Sequence, residues 1–543
     1  MKSAWNSVKR WLQKGQRILW LQYSALALVI LLPLLLPGYV LTLDMVFTPH
    51  TVLPTEITTT YPFDALLWLL SWILPGDVVQ KIVLFAILLL SGVGMHLLVR
   101  EITLKRSSVR LFEFAAYFAG FFYVINPFIY ARLMAGQWLV LLGYALLPFL
   151  VRALFRLLNQ PSWRSAIWVV VWTFAIITVS VHFSGIVLVI FVLLLVAAAV
   201  KYWKSQPEFW QFTWRLLIAG LAVLVLSSYW IIPAVLGSGV GEVAGRADET
   251  QFSAFATHSG PLGSIGEVLR LQGFWAEPRE LFVLPQNVMP LWGILMLLLW
   301  VLVVVGGVQL WRANRPVAAV MIGCVVVGTV LAASPLVQWL GQIFPLLGGY
   351  REPHKFTVLV VLGFGVLAAF GVVAFVRRRK HKKGWAIVCL ALPLLITPVM
   401  FWGAAGQLRS VDYPKEWYEL NSQLKDNVPP GKKVLFVPWH MYAPYSFSNG
   451  RIIANPAEKF FEVPMTISDD PEFANIAPNL HDTTKQQIAN LVQNPHNVSQ
   501  QLQDLSISHV VLAKEQDWEE YGFLQELPVL YENDKLILYE VPQ

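Results

Sequence analysis

The chain has 543 residues, of which 56% are hydrophobic and 13% are charged. Soluble proteins average about 25% charged residues, so this composition, with a mean hydropathy of +0.58, excludes a soluble protein built around one large core. The net charge of +7 and the pI near 9.2 would suit a nucleic-acid-binding protein, but the positions of the basic residues indicate a membrane protein instead.

Apolar runs long enough to cross a membrane recur along the first 403 residues. A spanning helix needs about 20 mostly apolar residues. The first run follows five basic residues, is too long for a typical signal peptide and lacks a small-residue cleavage site, so it predicts a retained helix. Eleven membrane-spanning helices are predicted, near 18–37, 79–99, 112–130, 135–157, 165–181, 183–200, 213–235, 287–311, 316–334, 357–376 and 384–403.

The distribution of Lys and Arg predicts the orientation of these helices. Cytoplasmic loops carry an excess of both residues. With the N-terminus in the cytoplasm, 23 Lys and Arg fall on the cytoplasmic side and 7 on the external side. The external loops are then 38–78, 236–286 and 335–356, within a multi-span domain of residues 1–403. We expect a multi-pass protein of the cell membrane whose basic loops contact anionic lipids, with no nucleic-acid partner.

The composition becomes polar after the last run. Residues 404–543 carry 10 Lys and Arg against 19 Asp and Glu. Helical spacing at 414–426, 483–492 and 498–505 alternates with strand-like segments at 433–438 and 509–513 and a hairpin pattern at 527–541. The fold class is therefore an all-α polytopic membrane domain followed by a small extracytoplasmic α/β domain.

The first external loop carries Asp44, Glu56 and Asp64, but 41–64 contains no Lys or Arg. Asp44 follows the first helix and has apolar neighbours, which favours a sheltered carboxylate that acts as general base on a hydroxyl group. The alternative is a solvated acid at a helix end. Glu56 is a weaker candidate for substrate binding, and Asp64 can mark the start of an interfacial helix.

A short external segment places four polar residues at the mouth of the tenth predicted helix. They are Arg351, Glu352, His354 and Lys355. Arg suits bidentate phosphate contacts, Lys suits a point-charge contact, and the helix N-terminus adds amide donors. This spacing predicts a phosphate clamp formed by Arg351 and Lys355, with His354 beside them. The alternative is an interfacial anchor with a surface ion pair.

The loop at 236–286 supplies further candidates for substrate binding. Arg246 and His258 belong either to a polar site or to an ordinary solvated loop. Trp275 and Arg279 suit sugar stacking and membrane anchoring about equally. No phosphate-binding Gly-rich loop, CxxC or H-E-x-x-H pattern occurs in the sequence, and the two Cys residues lie in separate apolar runs, so no metal ligands are predicted.

Three features together resemble the GT-C superfamily of integral-membrane glycosyltransferases. They are an acidic residue soon after the first helix, an R-x-P-x-K-F element before a late helix, and a C-terminal domain that opens with Y-P-x-x-W and has a strand ending in P-W. The details are most similar to the YfhO-like and arabinofuranosyltransferase D-like bacterial membrane proteins. The residues concerned are Asp44, Arg351, Pro353, Lys355, Phe356, Tyr413, Pro414, Trp417, Pro438 and Trp439.

This resemblance implies an enzyme that transfers a sugar from a polyprenyl-phosphate donor to a glycan or glycolipid acceptor on the external face. Asp44 would be the base, Arg351 and Lys355 would hold the leaving phosphate, and the C-terminal domain would help bind the acceptor. Many relatives carry an acidic pair where this chain has Asp44 and Met45, which leaves a divalent cation as an open alternative. A non-catalytic lipid-glycan transporter or scaffold in cell-envelope polysaccharide assembly is the second hypothesis.

Overall fold

The computed structural model of the chain describes residues 2–51, 53–54, 57–103, 109–237, 249–344, 349–470 and 483–542. Helices account for most of the chain as far as residue 405. In chain order these are α1 (Lys2–Leu31), α2 (Tyr61–Ser71), α3 (Gly76–Thr103), α4 (Val109–Val124), α5 (Pro127–Met134), α6 (Trp138–Asn159), α7 (Trp163–Val179), α8 (Phe183–Lys201), α9 (Gln206–Leu226), α10 (Ser228–Leu236), α11 (Glu249–Ala254), α12 (Gly263–Leu269), α13 (Pro285–Val288), α14 (Trp292–Ala313), α15 (Arg315–Ala333), α16 (Leu336–Ile343), α17 (Thr357–Arg377), α18 (Lys382–Ile396) and α19 (Phe401–Ala405).

Every predicted membrane span corresponds to a helix in the structure. Among the described residues, nine helices are long and apolar enough to cross a membrane. The last predicted span is two helices, Lys382–Ile396 and Pro398–Ala405, that meet at a 70° bend and can count as a tenth. The remaining one, α7, has 17 residues and is short for a full crossing. The chain is therefore a multi-pass membrane protein, as predicted, with nine or ten such spans in place of eleven.

Helix α17 is the centre of the helical part. It packs against α4, α14 and α15 and is buried along most of its length. A short 3-10 turn, Pro353–Phe356, leads directly into it. The predicted phosphate-binding residues therefore lie at the N-terminal end of a largely buried helix.

The C-terminal domain, which we define as residues 410–542, is a small α/β unit. Its five-stranded sheet has the order β6-β3-β7-β9-β8, with parallel pairs at β3 and antiparallel pairs at β9. The predicted helices, strands and hairpin of this region are all present. The elements are β2 (Ser410–Val411), α20 (Lys415–Asn427), β3 (Lys433–Val437), β4 (Tyr442–Pro444), β5 (Ile452–Ala454), α21 (Ala457–Phe460), β6 (Met465–Thr466), α22 (Thr483–Gln493), α23 (Val498–Asp504), β7 (Ile507–Ala513), β8 (Val529–Glu532) and β9 (Leu536–Glu540).

The segment after the first helix joins the C-terminal domain. Strand β1 (Tyr39–Val40) pairs with β2 in antiparallel fashion. Leu41 and Val46 belong to the same buried apolar cluster as Trp417 and Phe436 of the C-terminal domain. Because burying a large apolar side chain contributes about 1.5–3 kcal/mol, this segment is anchored to the C-terminal domain although it is far away in sequence.

Candidate active site

Asp44 lies at the tip of a tight turn, Thr42–Met45. The backbone N–H of Met45 donates to the carbonyl of Thr42 at 2.8 Å, and the N–H of Asp44 donates to the carbonyl of Ala135 at 3.3 Å. The hydroxyl of Thr42 donates to the carbonyl of Met134 at 2.7 Å and accepts from Arg451 of the C-terminal domain at 2.9 Å. The turn is thus fixed from both sides.

Gly136, in the connection between α5 and α6, allows this turn to approach the helices. Its φ is +69°, a left-handed conformation that glycine adopts without the strain a Cβ brings. A Cβ at this position would lie 2.3 Å from both the nitrogen of Met45 and the carbonyl oxygen of Thr42. Glycine is therefore required both by the conformation and by the close contact with the turn that carries Asp44.

The carboxylate of Asp44 accepts a hydrogen bond from the Tyr442 hydroxyl at 2.6 Å. The side chain is exposed to the recess beside it. Desolvation by the surrounding protein raises the pKa of Asp44, while the hydrogen bond from Tyr442 opposes the rise. A carboxylate with a raised pKa that is still accessible is suited to accept a proton from a hydroxyl group.

The recess beside Asp44 has a volume of about 380 Å³. Two ammonium groups line it, Lys355 from the turn before α17 and Lys459 from α21 of the C-terminal domain. Lys459 is exposed to the recess, and desolvation by nearby protein atoms lowers its pKa, against the opposing charges of Glu458, Asp44 and Asp64. The other lining residues described are polar groups of the connecting loops and apolar ends of helices: Thr58, Thr59, Thr60, Gly136, Gln137, Trp138, Leu139, Val140, Val179, Ser180, Val181 and His182.

A buried ion network lies behind Lys355. The ammonium of Lys355 is 3.2 Å from a carboxylate oxygen of Glu352, and the fully buried guanidinium of Arg132 contacts the other oxygen. Burial alone would raise the pKa of Glu352, but the charges of Arg132 and Lys355 lower it to about 2. Glu352 is therefore ionised, and the network holds Lys355 at the recess in a defined orientation.

His354 belongs to this network and points away from the recess. Its Nδ1 accepts from Arg132 at 2.7 Å, and its Nε2 donates to the carbonyl of Gln272 at 3.0 Å. Both ring nitrogens of this buried side chain are thus engaged within the protein. A phosphate contact by His354 stays a prediction, and the ring is not among the described residues that line the recess.

Arg351 lies near the recess but is not among the described residues that line it. Its guanidinium stacks 4.7 Å from the ring centroid of Phe255, which contacts Trp275 edge-on at 5.4 Å. At the recess, burial lowers the pKa of His182 to about 3, and the charges of Lys355 and, to a smaller extent, Arg351 act in the same direction. His182 is therefore neutral at physiological pH.

The remaining predicted residues lie elsewhere. Trp275 is buried, and the guanidinium of Arg279 stacks on its ring at 4.7 Å. His258 is exposed, with its backbone N–H bound to the carbonyl of Gly273. None of these three lines the recess among its described residues. Glu56 and Arg246 lie outside the described residues.

Four residues of the site were not predicted from the sequence. Lys459 and Tyr442 come from the C-terminal domain, more than 390 positions after Asp44, and no local pattern links them to it. Arg132 lies in α5, and a cation within an apolar segment is a signal that could have indicated a buried partner. His182 lies in the turn between α7 and α8, where no local pattern marks it as a site residue.

The described residues around Asp44 do not fit a divalent cation. Among them, no group of three or more His, Cys, Asp and Glu is placed to hold a metal. The described lining of the recess offers one carboxylate and one imidazole, with two ammonium groups facing the same space. Mg²⁺ and similar hard ions prefer several oxygen ligands, and neighbouring cations oppose their binding.

The fold combines a helical membrane domain, whose first loop is acidic, with a C-terminal α/β domain. The chain is similar to the solved structure of the arabinofuranosyltransferase AftD from Mycobacteria, with a TM-score of 0.62 and 16% identity over 97% of this chain and 40% of that one. The R1389S mutant of AftD aligns with TM-scores of 0.59 and 0.55, at 15% identity in both classes. The chain thus spans about 40% of the length of these proteins. No protein-family model matches the chain, and no curated protein matches it in sequence.

Proposed function

We propose that this protein is a membrane glycosyltransferase that uses a polyprenyl-phosphate-linked sugar as donor and a glycan or glycolipid as acceptor. The observation that carries the proposal is the recess in which Asp44 lies with Lys355 and Lys459. In one partly enclosed space, the carboxylate can accept the proton that a hydroxyl group loses. The two cations can stabilise the negative charge that a leaving phosphate gains. A scaffold needs neither group.

The reaction follows from these roles. The acceptor hydroxyl oxygen forms a bond to the anomeric carbon of the donor, and the bond from that carbon to the phosphate oxygen breaks. The phosphate leaves with the electron pair of this bond, and the hydroxyl proton passes to Asp44. Lys355 and Lys459 stabilise the charge that develops on the leaving phosphate.

The lining of the recess also suits a lipid-linked donor. Val140, Val179 and Val181 provide an apolar side at the ends of α6 and α7 and in the α7–α8 turn, while Lys355 and Lys459 provide the charged side. An amphipathic donor needs both. We place this recess on the extracytoplasmic face, as the charge distribution of the sequence predicts, where a lipid carrier can present the sugar.

Transfer activity of the Asp44→Asn variant tests the proposal. The purified full-length protein in lipid nanodiscs is supplied with polyprenyl-phosphate arabinofuranose, chosen because AftD is an arabinofuranosyltransferase, and with other polyprenyl-phosphate sugars in parallel. We expect transfer by the wild type and a loss of at least about 100-fold in the variant, since a general base contributes about 10²–10⁴-fold. Absence of transfer from every donor, or full activity of the variant, would contradict the proposal.

Lys459 tests whether the C-terminal domain contributes to the site. Lys459→Gln should lower kcat/KM about tenfold or more, because a hydrogen bond to a charged group contributes about 1.5–3 kcal/mol. Lys425→Gln is the matched control, since Lys425 belongs to the same domain, is half exposed and pairs with Glu462 at 3.1 Å. Equal activities of the two variants would remove Lys459 from the mechanism.

A further inference from the structure

A second cavity lies within the C-terminal domain, at the carboxyl end of β3. Its volume is about 420 Å³. One wall is helix α22, which contributes Gln486, and the opposite wall is the 3-10 helix Trp518–Glu526, which contributes Glu520. Trp439 and Phe523 supply aromatic surface. The Asp44 recess has none of these lining residues in common with this cavity.

The charge of this cavity differs from that of the Asp44 recess. Four carboxylates and one lysine are among its described lining residues. Asp469 is 3.4 Å from Lys485, and Asp517 is 3.0 Å from His440. Asp470 and Glu520 are the other two carboxylates, and Glu520 is exposed. Such a field repels phosphates and carboxylates. The ligand that fits is neutral and rich in hydroxyl groups.

Gln486 gives a second indication of a ligand. Its amide nitrogen is buried and has no hydrogen-bond partner among the described residues. A buried donor left without an acceptor costs about 1–3 kcal/mol, so such groups are normally satisfied. A sugar hydroxyl oxygen can accept from this amide while its neighbouring hydroxyls donate to the carboxylates. The apolar face of a sugar ring packs on aromatic side chains such as Trp439 and Phe523.

One short segment links the cavity to Asp44. His440 lines the cavity and contacts Asp517 at 3.0 Å. Tyr442, two residues further along, begins β4 and donates to Asp44 at 2.6 Å. Two residues span at most about 7 Å along the chain, so one short segment contacts both the cavity and Asp44. An acceptor of several linked sugars that occupies both places would run along this segment.

We propose that this cavity binds an uncharged sugar unit of the acceptor glycan while a terminal hydroxyl of that glycan reaches Asp44. This assignment rests on the proposed transferase function for its biological meaning. Binding itself does not require catalysis, and it can be measured separately.

The test is calorimetric titration of the full-length protein in nanodiscs with neutral arabinan, mannan and glucan oligosaccharides. We expect saturable binding of at least one of them, and none of an oligogalacturonate of equal length. Glu520→Gln and Gln486→Leu should weaken binding at least tenfold. The control Glu519→Gln, an exposed neighbour outside the described cavity lining, should bind like the wild type.

Gln486→Leu also separates binding from folding. Replacing an unpartnered buried amide by an apolar group is neutral or stabilising for the fold. The midpoint temperature of thermal unfolding of Gln486→Leu should therefore not be lower than that of the wild type. Lack of binding by the wild type, or unchanged affinity in both cavity variants, overturns the assignment. If oligosaccharides bind as expected but no donor supports transfer, the transferase proposal fails while the sugar site stands.

Discussion

The hydrogen bond from Tyr442 to Asp44 makes a specific prediction about pH. The phenol donates to the carboxylate at 2.6 Å and lowers a pKa that burial raises. A hydrogen bond to a charged group contributes about 1.5–3 kcal/mol, and the exposure of Asp44 to the recess reduces this to about 1 kcal/mol. Tyr442→Phe therefore makes ionisation of Asp44 less favourable by about 1 kcal/mol.

The sign of the effect follows from the role of Asp44 as a base. The base must be ionised, so activity falls as pH decreases through the pKa of Asp44, and raising this pKa moves the fall to higher pH. On this acidic limb kcat/KM of Tyr442→Phe should be about fivefold below wild type, since about 1 kcal/mol corresponds to that factor. At high pH, where both proteins are ionised, the values should converge.

The pH profile of kcat/KM for sugar transfer in nanodiscs is the measurement. Tyr531→Phe is a matched control, because Tyr531 also donates to a carboxylate of the same domain, Glu419, at 3.2 Å, but in an exposed position. Its profile should equal that of the wild type. A uniform loss across all pH values in Tyr442→Phe, or an unmoved acidic limb, would refute the assignment of Asp44 as a base tuned by Tyr442.

Two further substitutions test the support of the site. Gly136→Ala should lower the thermal stability and the transfer activity more than Gly263→Ala, because both glycines have a φ near +70° but only at Gly136 would a Cβ meet other atoms within 4 Å. The left-handed backbone conformation alone costs an alanine about 1–2 kcal/mol at either position. Equal losses of stability in the two variants would therefore show that a Cβ at Gly136 does not clash with the Asp44 turn. Arg132→Gln leaves Glu352 buried with reduced compensation and should cost about 3–5 kcal/mol in chemical unfolding. Arg156→Gln, from a half-exposed ion pair, should cost about 0–1 kcal/mol, and a similar loss in both variants would contradict the importance of the buried network.

Most of the fold was predictable because it follows from local patterns. Long apolar runs define the spanning helices, and the helical and alternating periods of residues 410–542 define the C-terminal elements. The differences lie where tertiary packing decides. The last span bends by 70° at Pro398, and the run at 112–130 breaks at Asn126, whose side chain caps α5 at Ile129. Neither break changes the apolar character of its run.

The candidate site was predictable only in part. Asp44 and Lys355 could be predicted because a charged residue at the end of an apolar helix is costly to desolvate and therefore indicates a functional role. Lys459 and Tyr442 could not be found, since the Asp44 turn meets their part of the C-terminal domain through an isolated β-bridge between Leu43 and Ile453, which leaves no periodic pattern in the sequence. The phosphate contact of Arg351 stays a prediction. Its guanidinium stacks on Phe255, a contact that spacing along the chain could not show.

The charges of the site explain how two lysines can serve a reaction that a divalent cation would otherwise assist. The net charge of five groups is +1, and it balances the single negative charge of a phosphodiester donor. The five are Asp44, Lys355 and Lys459 at the recess and Glu352 and Arg132 behind them. When the phosphate leaves it gains a second negative charge, and Asp44 loses its own by taking the proton. The site and its ligands thus stay neutral throughout the proposed transfer, whereas a divalent cation in the same recess would leave an excess of two positive charges to be desolvated.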